Sequence, residues 1–322
     1  MRALMYDRYG DESVLQLREV TTPAPTAGEV QIEVICASLN PVDFKLRNGM
    51  LKWLGKPTLP ATIGKDFAGR VTALGAGVTA FAVGQRVFGS ADSLRGRGAC
   101  ADMLLSTVDL IAAIPGNVSY ETAACLGVAP GSALQALTSV ANLQAGQRVL
   151  ISGASGSVGA AGVQIAHKIG AHVTGVCSTA NVDYVKSIGA DVVIDYKTTR
   201  WEDASEIYDV ILDTSGSHTA FSAARKRMTA NGFYIDTFPD GARFVGSAIT
   251  RLTSRQHCVP FMLKTNPALL NTLANYAAIG VLKPRIAQRI ALEAVPQALR
   301  QMQDGKVQGK VCVRLRDDAG ER

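Results

Sequence analysis

The stretch TIGKDFAG (62–69) sets a basic and an acidic side chain, Lys65 and Asp66, side by side among small and apolar residues. Such a pair can exchange a proton, form part of a metal site, or close a bend as a local ion pair or through an Asp66 bond to nearby backbone. A second constellation is GASGSVG (153–159), with a glycine at every third position. A tight turn needs the first, Gly153. A bare backbone at Gly156 can approach a pyrophosphate, and Gly159 lets a helix pack closely. The N–H groups that open a helix after such a turn point at an anion, and the helix dipole favours its charge. The spacing is G-x-x-G-x-x-G, so its weight comes from context: the apolar run RVLIS (148–152) precedes it and the helical pattern SVGAAGVQIAHKIG (157–170) follows. Gly153, Ser155, Gly156, Ser157, Val158 and Gly159 are the expected contacts to a dinucleotide.

The end of the next strand discriminates between dinucleotides. A carboxylate there accepts from the ribose 2′-OH of NAD and repels a 2′-phosphate. Here the strand runs into Cys177-Ser178-Thr179-Ala180-Asn181, with no carboxylate before Asp183. Ser178, Thr179 and Asn181 can donate hydrogen bonds to a phosphate, and Lys186 adds charge one turn into the following helix. These residues point to NADPH. Ser178 and Asn181 also suit the capping of that helix.

The elements that hold these groups fall into two rhythms. The first ~120 residues read as strands with irregular turns: VQIEVICAS (30–38) alternates with period two, and Arg70–Leu74 and Gln85–Phe88 are short strands broken by glycines. That pattern suggests a partly closed antiparallel barrel. Ser119 caps a helix whose continuation, TAACLGVAPGSALQAL, is expected to divide at Pro130 and Gly131. From Gln147 apolar runs alternate with helices: RVLIS, HVTGVC, DVVIDY, YDVILDTS and GFYIDTF, with helices over SVGAAGVQIAHKIG, NVDYVKSIG and HTAFSAARKRMT between them. Runs buried on both faces, joined by helices, build a parallel, doubly wound α/β sheet. Thr237 and Phe238 end the fifth run, on the carboxyl edge where open sheets bind ligands. The tail brings the helices PALLNTLANYAAIG and ALEAVPQALRQMQDGK and a closing strand, GKVCVRL.

A chain of 322 residues exceeds one ordinary core, and 47% hydrophobic against 19% charged residues excludes a disordered chain. No basic stripe alternates with aromatics to account for the net charge of +6, which argues against nucleic acid as a partner. No window is apolar enough for a membrane span. MRALMYDRYG lacks the apolar core of a signal peptide, and the six scattered cysteines form no C-x-x-C. A cytoplasmic location with reduced thiols is the expectation.

In order along nearly the whole chain, SLNPVDFKLRNG (38–49), IGKDFAGRVTALGAGV (63–78), VFG (87–89), AAIP (112–115), AACLGVAPGSALQAL, ISGASGSVGAAGVQIA, GADVVIDY (189–196) and the terminal GKVCV resemble the medium-chain dehydrogenase/reductase superfamily. The nearest branch by these motifs is the zinc-free quinone and alkenal reductases related to zeta-crystallin. The resemblance implies a Rossmann-type domain (124–264) inserted into a β-rich, GroES-like catalytic domain (1–123 and 265–322). It implies a homodimer joined through the sheet edge of the cofactor domain, to which the run before His257 would contribute. Zinc-dependent members carry a cysteine ligand where this chain has Asn40, a histidine–glutamate pair at Lys65-Asp66, and a third ligand near Val128. None of these survives as a ligand, the lobe for structural zinc is absent, and His167, His172, His218 and His257 show no ligand spacing. No metal is expected.

Without zinc an alcohol oxidation loses its Lewis acid. A quinone or an α,β-unsaturated carbonyl needs chiefly alignment with the nicotinamide and stabilisation of the anion that hydride addition leaves. The resemblance therefore implies NADPH-dependent reduction of such an acceptor. Asn40 would contact the nicotinamide ribose or the acceptor oxygen, and Asp43 would order its loop or serve as an ordinary turn residue. Ser132 falls near the nicotinamide end, Tyr196 on the adenine side, and Lys310 near the cofactor. Lys45, Met50 and Trp53 would line the pocket mouth or form a solvated loop. Two other readings stay open: a 2-enoyl thioester reductase, and an NADPH-binding regulatory or structural protein without turnover.

Overall fold

The computed structural model describes residues 1–53, 55–216, 221–238, 247, 250 and 254–316. The chain divides into two compact units, Met1–Val128 with Thr265–Arg322, and Ala129–Lys264. The sequence reading put the corresponding junctions after residues 123 and 264.

The first unit opens with β1 (Arg2–Tyr6), β2 (Gln16–Glu19), β3 (Glu29–Leu39), α1 (Pro41–Arg47), β4 (Ala61–Thr62), β5 (Asp66–Leu74), β6 (Arg86–Ser90), β7 (Met103–Thr107), β8 (Ile111–Ala113) and α2 (Tyr120–Ala124). The long strand β3 explains the arrangement. Val30, Ile32 and Val34 are buried on one face and Gln31 and Glu33 lie half-buried on the other, as a period of two requires. From Val34 on, every residue is buried, so both faces of this half are covered; within the sheet β3 pairs antiparallel with β5 over most of its length, with β7 over Glu29–Glu33 and with the terminal strand over Cys36–Leu39.

The second unit begins within α3 (Val128–Leu134) and contains β9 (Arg148–Ser152), α4 (Ser157–Ile169), β10 (His172–Cys177), α5 (Val182–Ser187), β11 (Val192–Asp195), β12 (Tyr208–Asp213), α6 (Phe221–Ala224), β13 (Met228–Asp236) and β14 (His257–Pro260). Its strands run in the order β11-β10-β9-β12-β13-β14 and every pair is parallel. Val149, Leu150 and Ile151 of the central β9 have no exposed surface. The winding reverses at β9, so the crevice beyond its carboxyl end is the ligand position of a doubly wound sheet.

The chain then returns to the first unit with α7 (Pro267–Ala278), β15 (Ile286–Ala291), α8 (Val295–Gln303) and β16 (Lys310–Arg314). Seven strands form one mixed sheet along the path β15-β16-β3-β5-β6-β8, with β7 on β3; β2-β1-β4 form a second sheet. The described strands follow an open path and close no ring.

Three expected elements shift, and one strand is added. The helix after Ser119 breaks at Cys125–Gly127 rather than at Pro130 and Gly131, which lie inside α3. Proline in a first turn removes a donor that has no intrahelical partner anyway. The pattern ALEAVPQALRQMQDGK turns helical only at Val295, which puts Pro296 in its first turn. Over HTAFSAARKRMT the helix α6 ends at Ala224, and Met228 already belongs to β13; His218–Ala220 fall outside the described residues. The sixth parallel strand, β14, was not expected: four residues closed by a proline give too short a period to read.

Candidate active site

In the first unit three element ends bring four polar side chains together. Asn40 stands between β3 and α1 as the N-cap residue, and its backbone N–H donates to Oδ2 of Asp43 at 2.7 Å. Asp43 thus orders this loop as half of a capping box. The Asn40 amide does not cap. Its Oδ1 accepts from Lys310 Nζ at 2.7 Å and its Nδ2 donates to Asp66 Oδ2 at 2.9 Å. Asp66 opens β5 and Lys310 opens β16. Register sets Asp66 opposite Ser38, and Leu39 opposite Val311, so both charges arrive beside the end of β3. Lys310 Nζ lies 3.1 Å from Asp66 Oδ2, and the other carboxylate oxygen accepts from the N–H of Val128 at 2.9 Å. A methyl group at Gly127 would stand 2.4 Å from that oxygen, so only glycine lets the carboxylate lie there.

Asn40, Asp43, Asp66 and Lys310 are all buried, with 2%, 3%, 0% and 3% of their surface exposed. Burial dictates that such charges be paired and hydrogen-bonded. The carboxyl of Asp43 is pushed up to about 7, chiefly by burial and further by the charge of Asp66, against the Asn40 N–H and the cations Lys310 and Lys65. Cys125 borders the group, and burial pushes its thiol up to about 12, so it stays protonated and is no nucleophile. The local pair Lys65–Asp66 is not formed. Lys65 Nζ reaches the carbonyl of Ala91 at 3.4 Å instead. Neighbouring residues of extended chain face opposite sides, which leaves Asp66 inward and Lys65 half-buried.

Of the positions marked by the resemblance, Asn40 and Val128 meet at the Asp66 carboxylate, which Lys310 pairs, whereas Lys65, at the histidine position, turns to the Ala91 carbonyl. The group offers an amide, one carboxylate and a backbone N–H, and the last has no lone pair to give. This donor set does not fit zinc. Among the described residues no group of three or more His, Cys, Asp or Glu is placed to hold a metal. His167, His172 and His257 all lie in the second unit, where His257 stacks on Phe233 at 4.5 Å; His218 falls outside the described residues.

In the second unit GASGSVG follows β9 and opens α4. Gly153 has φ +76°, the left-handed conformation that favours glycine. A Cβ on Gly159 would stand 2.2 Å from the Gly153 carbonyl oxygen, so this glycine packs the helix start onto the turn itself rather than onto a strand. Gly156 is the extended N-cap residue and is exposed. The amides of Ser157, Val158 and Gly159 open the helix and have no intrahelical partner. This bare, N–H-rich turn at the switch point fits a pyrophosphate.

At the end of β10, Asn181 Nδ2 donates to Ser178 Oγ at 3.0 Å, and Thr179 Oγ1 donates to Asp195 Oδ2 at 2.6 Å. Asp195 was missed by the sequence reading. It ends β11 in register with Cys177, so an acid does stand beside this corner, contributed by the next strand. The Thr179 hydroxyl and the Lys197 N–H hold its carboxyl below the usual range. Tyr196 is exposed, and its N–H donates to the Cys177 carbonyl at 3.1 Å. Lys186 is exposed in the last turn of α5. Thr237 donates through both N–H and Oγ1 to the Asp213 carbonyl, each at 3.1 Å, and the Phe238 N–H donates to Asp236 Oδ1 at 2.8 Å. Ser132 is buried in α3. Lys45 is half-buried in α1, while Met50 and Trp53 are 60% and 52% exposed on the loop after it.

The model of the alcohol dehydrogenase GroES-like domain matches residues 26–127, and that of a zinc-binding dehydrogenase matches residues 188–313. A chloroplast envelope quinone oxidoreductase homolog of Arabidopsis thaliana is 34% identical over 97% of this chain and 98% of its own. An NADPH-dependent alkenal/one oxidoreductase of the same plant is 30% identical over 97% of this chain and 79% of its own. The quinone oxidoreductase from Coxiella burnetii superposes with a TM-score of 0.88 at 27% identity, over 98% of this chain and 99% of that one.

Proposed function

The chain belongs to the medium-chain dehydrogenase/reductase family and is an oxidoreductase; from that premise we propose that it reduces quinones or α,β-unsaturated carbonyls with NADPH and without zinc. The observation that carries this reading is the buried Asn40–Asp66–Lys310 group, which sets an amide and an ion pair where a metal-dependent relative needs lone-pair donors.

Bound NADPH supplies the hydride. The turn at Gly153–Gly159 holds the pyrophosphate on the amides that open α4. Tyr196 offers its exposed ring to the adenine, and Ser178, Asn181 and Lys186 lie toward the 2′-phosphate, while the Thr179 hydroxyl spends its one hydrogen on Asp195. The carboxylate of Asp195, which accepts from the Thr179 hydroxyl and the Lys197 N–H, stays charged at this corner and counts against a 2′-phosphate, while Ser178, Asn181 and Lys186 count for one. The NADPH dependence in the name of the related alkenal/one oxidoreductase supports the same choice of cofactor. In the catalytic unit Asn40, Asp66 and Lys310 hold a fixed arrangement of dipoles and charge, the kind of site that stabilises an enolate or hydroquinone anion. The protein is proposed to act as a cytoplasmic homodimer; its six buried, free thiols suit a reducing compartment.

The test is the rate of NADPH and NADH oxidation with 1,2-naphthoquinone and with short enones, before and after treatment with a chelator. Turnover of at least one acceptor, about 10-fold or more faster with NADPH at limiting cofactor, and unchanged by the chelator, is expected. Equal rates with NADH would overturn the choice of NADPH. Loss of activity on chelation would overturn the zinc-free mechanism.

A further inference from the structure

Asn40 is the residue that the sequence offers for contact with the acceptor oxygen, and the geometry shows its amide already engaged at both ends. Lys310 holds its Oδ1 and Asp66 holds its Nδ2. The remaining amide hydrogen has only a 3.4 Å contact, to the Ser38 carbonyl. An ammonium has three N–H donors. Lys310 spends one on Asn40 and one on Asp66, and the third has no partner among the described residues. Asp66 accepts from three donors, Asn40, Lys310 and the Val128 N–H, so its charge is spread over all of them. The group therefore contains one unspent hydrogen-bond donor, and it sits on a fixed positive charge.

We infer that Lys310, rather than Asn40, is the residue that stabilises the oxyanion of the reduced acceptor, with Asp66 and Asn40 as positioning residues that fix its ammonium. The inference rests on the reductase reading above. The step balances simply. Hydride adds to the acceptor carbon, and the displaced electron pair moves through the conjugated system to the oxygen. The third N–H of Lys310 hydrogen-bonds to that oxygen without giving up its proton. One proton from solvent completes the reduction. The Lys310 charge takes the part a metal cation plays in polarising an oxygen.

The predicted signature is selectivity among acceptors. A quinone spreads the new charge over an aromatic ring and needs little help; an isolated enone concentrates it on one oxygen and needs much. In Lys310→Met, kcat/KM for a short enone is expected to fall on the order of 100-fold, the size of losing one oxyanion donor, and that for 1,2-naphthoquinone by less than about 10-fold. The NADPH dissociation constant, from quenching of protein fluorescence, is expected to stay within roughly 3-fold. The double variant D66N/K310M leaves no lone buried charge and is expected to show the same selectivity in a folded protein. Equal losses on both acceptors would mean that Lys310 is structural, and a loss confined to NADPH affinity would make it a cofactor ligand; either overturns the inference and leaves the reductase reading standing. A wild-type protein that turns over neither acceptor would overturn the reductase reading itself, and this role with it.

Discussion

Asp43 is a carboxyl with nowhere to place its charge. It is buried, Asp66 lies close by, and one N–H with two nearby cations offsets only part of that cost. Folded, it keeps its proton until the pH approaches about 7; in the unfolded chain it lets go near about 3.9. Stability owed to this group is complete below the unfolded value and is lost as the pH climbs through that window to the folded one. Between about pH 4 and 7 the wild type should lose up to about 1.4 kcal/mol per pH unit more than D43N, whose amide oxygen can still accept from the Asn40 N–H. Urea unfolding of both proteins at several pH values measures the difference, and parallel curves would mean that Asp43 is ionised throughout. The sequence showed Asn40 and Asp43 as a pair because a residue and its N3 partner are three positions apart. It did not show what Asp66 binds. The nearest cation in sequence is Lys65, whereas the partner, Lys310, is 244 positions away and arrives only through the register of β16 on β3.

Elements were legible where local chemistry ends them. Ser119 accepts from the Thr122 N–H, Asn266 accepts from Leu269, and Gly170 and Gly280 take positive φ after α4 and α7, all signals written within a few residues. The break at Cys125–Gly127 was misplaced because Pro130 and Gly131 are the stronger local signals, whereas the need for glycine at 127 is spatial: a Cβ there would stand 2.4 Å from the Asp66 carboxylate oxygen. The glycine turn lies between these cases: its pattern is local, but the reason for each glycine is spatial. Gly159→Ala must lodge a methyl group 2.2 Å from the Gly153 oxygen. The turn has to open, which should cost about 1–3 kcal/mol and raise the NADPH dissociation constant about 10-fold or more. Gly156→Ala has its nearest neighbour at 3.3 Å. It should cost less stability, yet still weaken NADPH binding, since the new methyl stands in the turn proposed to hold the pyrophosphate. Fluorescence titration and urea unfolding of both variants separate the two roles. Equal stability losses would contradict the steric account, and an unchanged affinity in both would remove the turn from the cofactor site.

At the scale of the molecule, one unit is built from both ends of the chain, and its sheet is complete only when β16 settles beside β3. Two charge groups tie this last strand down, and they should behave oppositely. At its far end Arg314 donates to Glu121 on α2 at 2.6 Å, and Arg289 on β15 joins the same carboxylate at 2.9 Å. Both arginines are about half exposed, at 53% and 50%, so water competes for them and salt screens them. At its near end Lys310 and Asp66 are shielded from solvent. E121Q is therefore expected to cost about 1 kcal/mol or less per pair, shrinking as salt is added. K310M strands the Asp66 charge in the interior and should cost about 3–5 kcal/mol, with little dependence on salt. Restoring neutrality in D66N/K310M should recover most of that loss, because the cost lies in the uncompensated charge more than in the missing attraction. Urea unfolding of the three variants at low and high salt decides the matter. If E121Q proved the more damaging, or if the double variant were no more stable than K310M, the closing strand would be held by its exposed end and not by the buried pair.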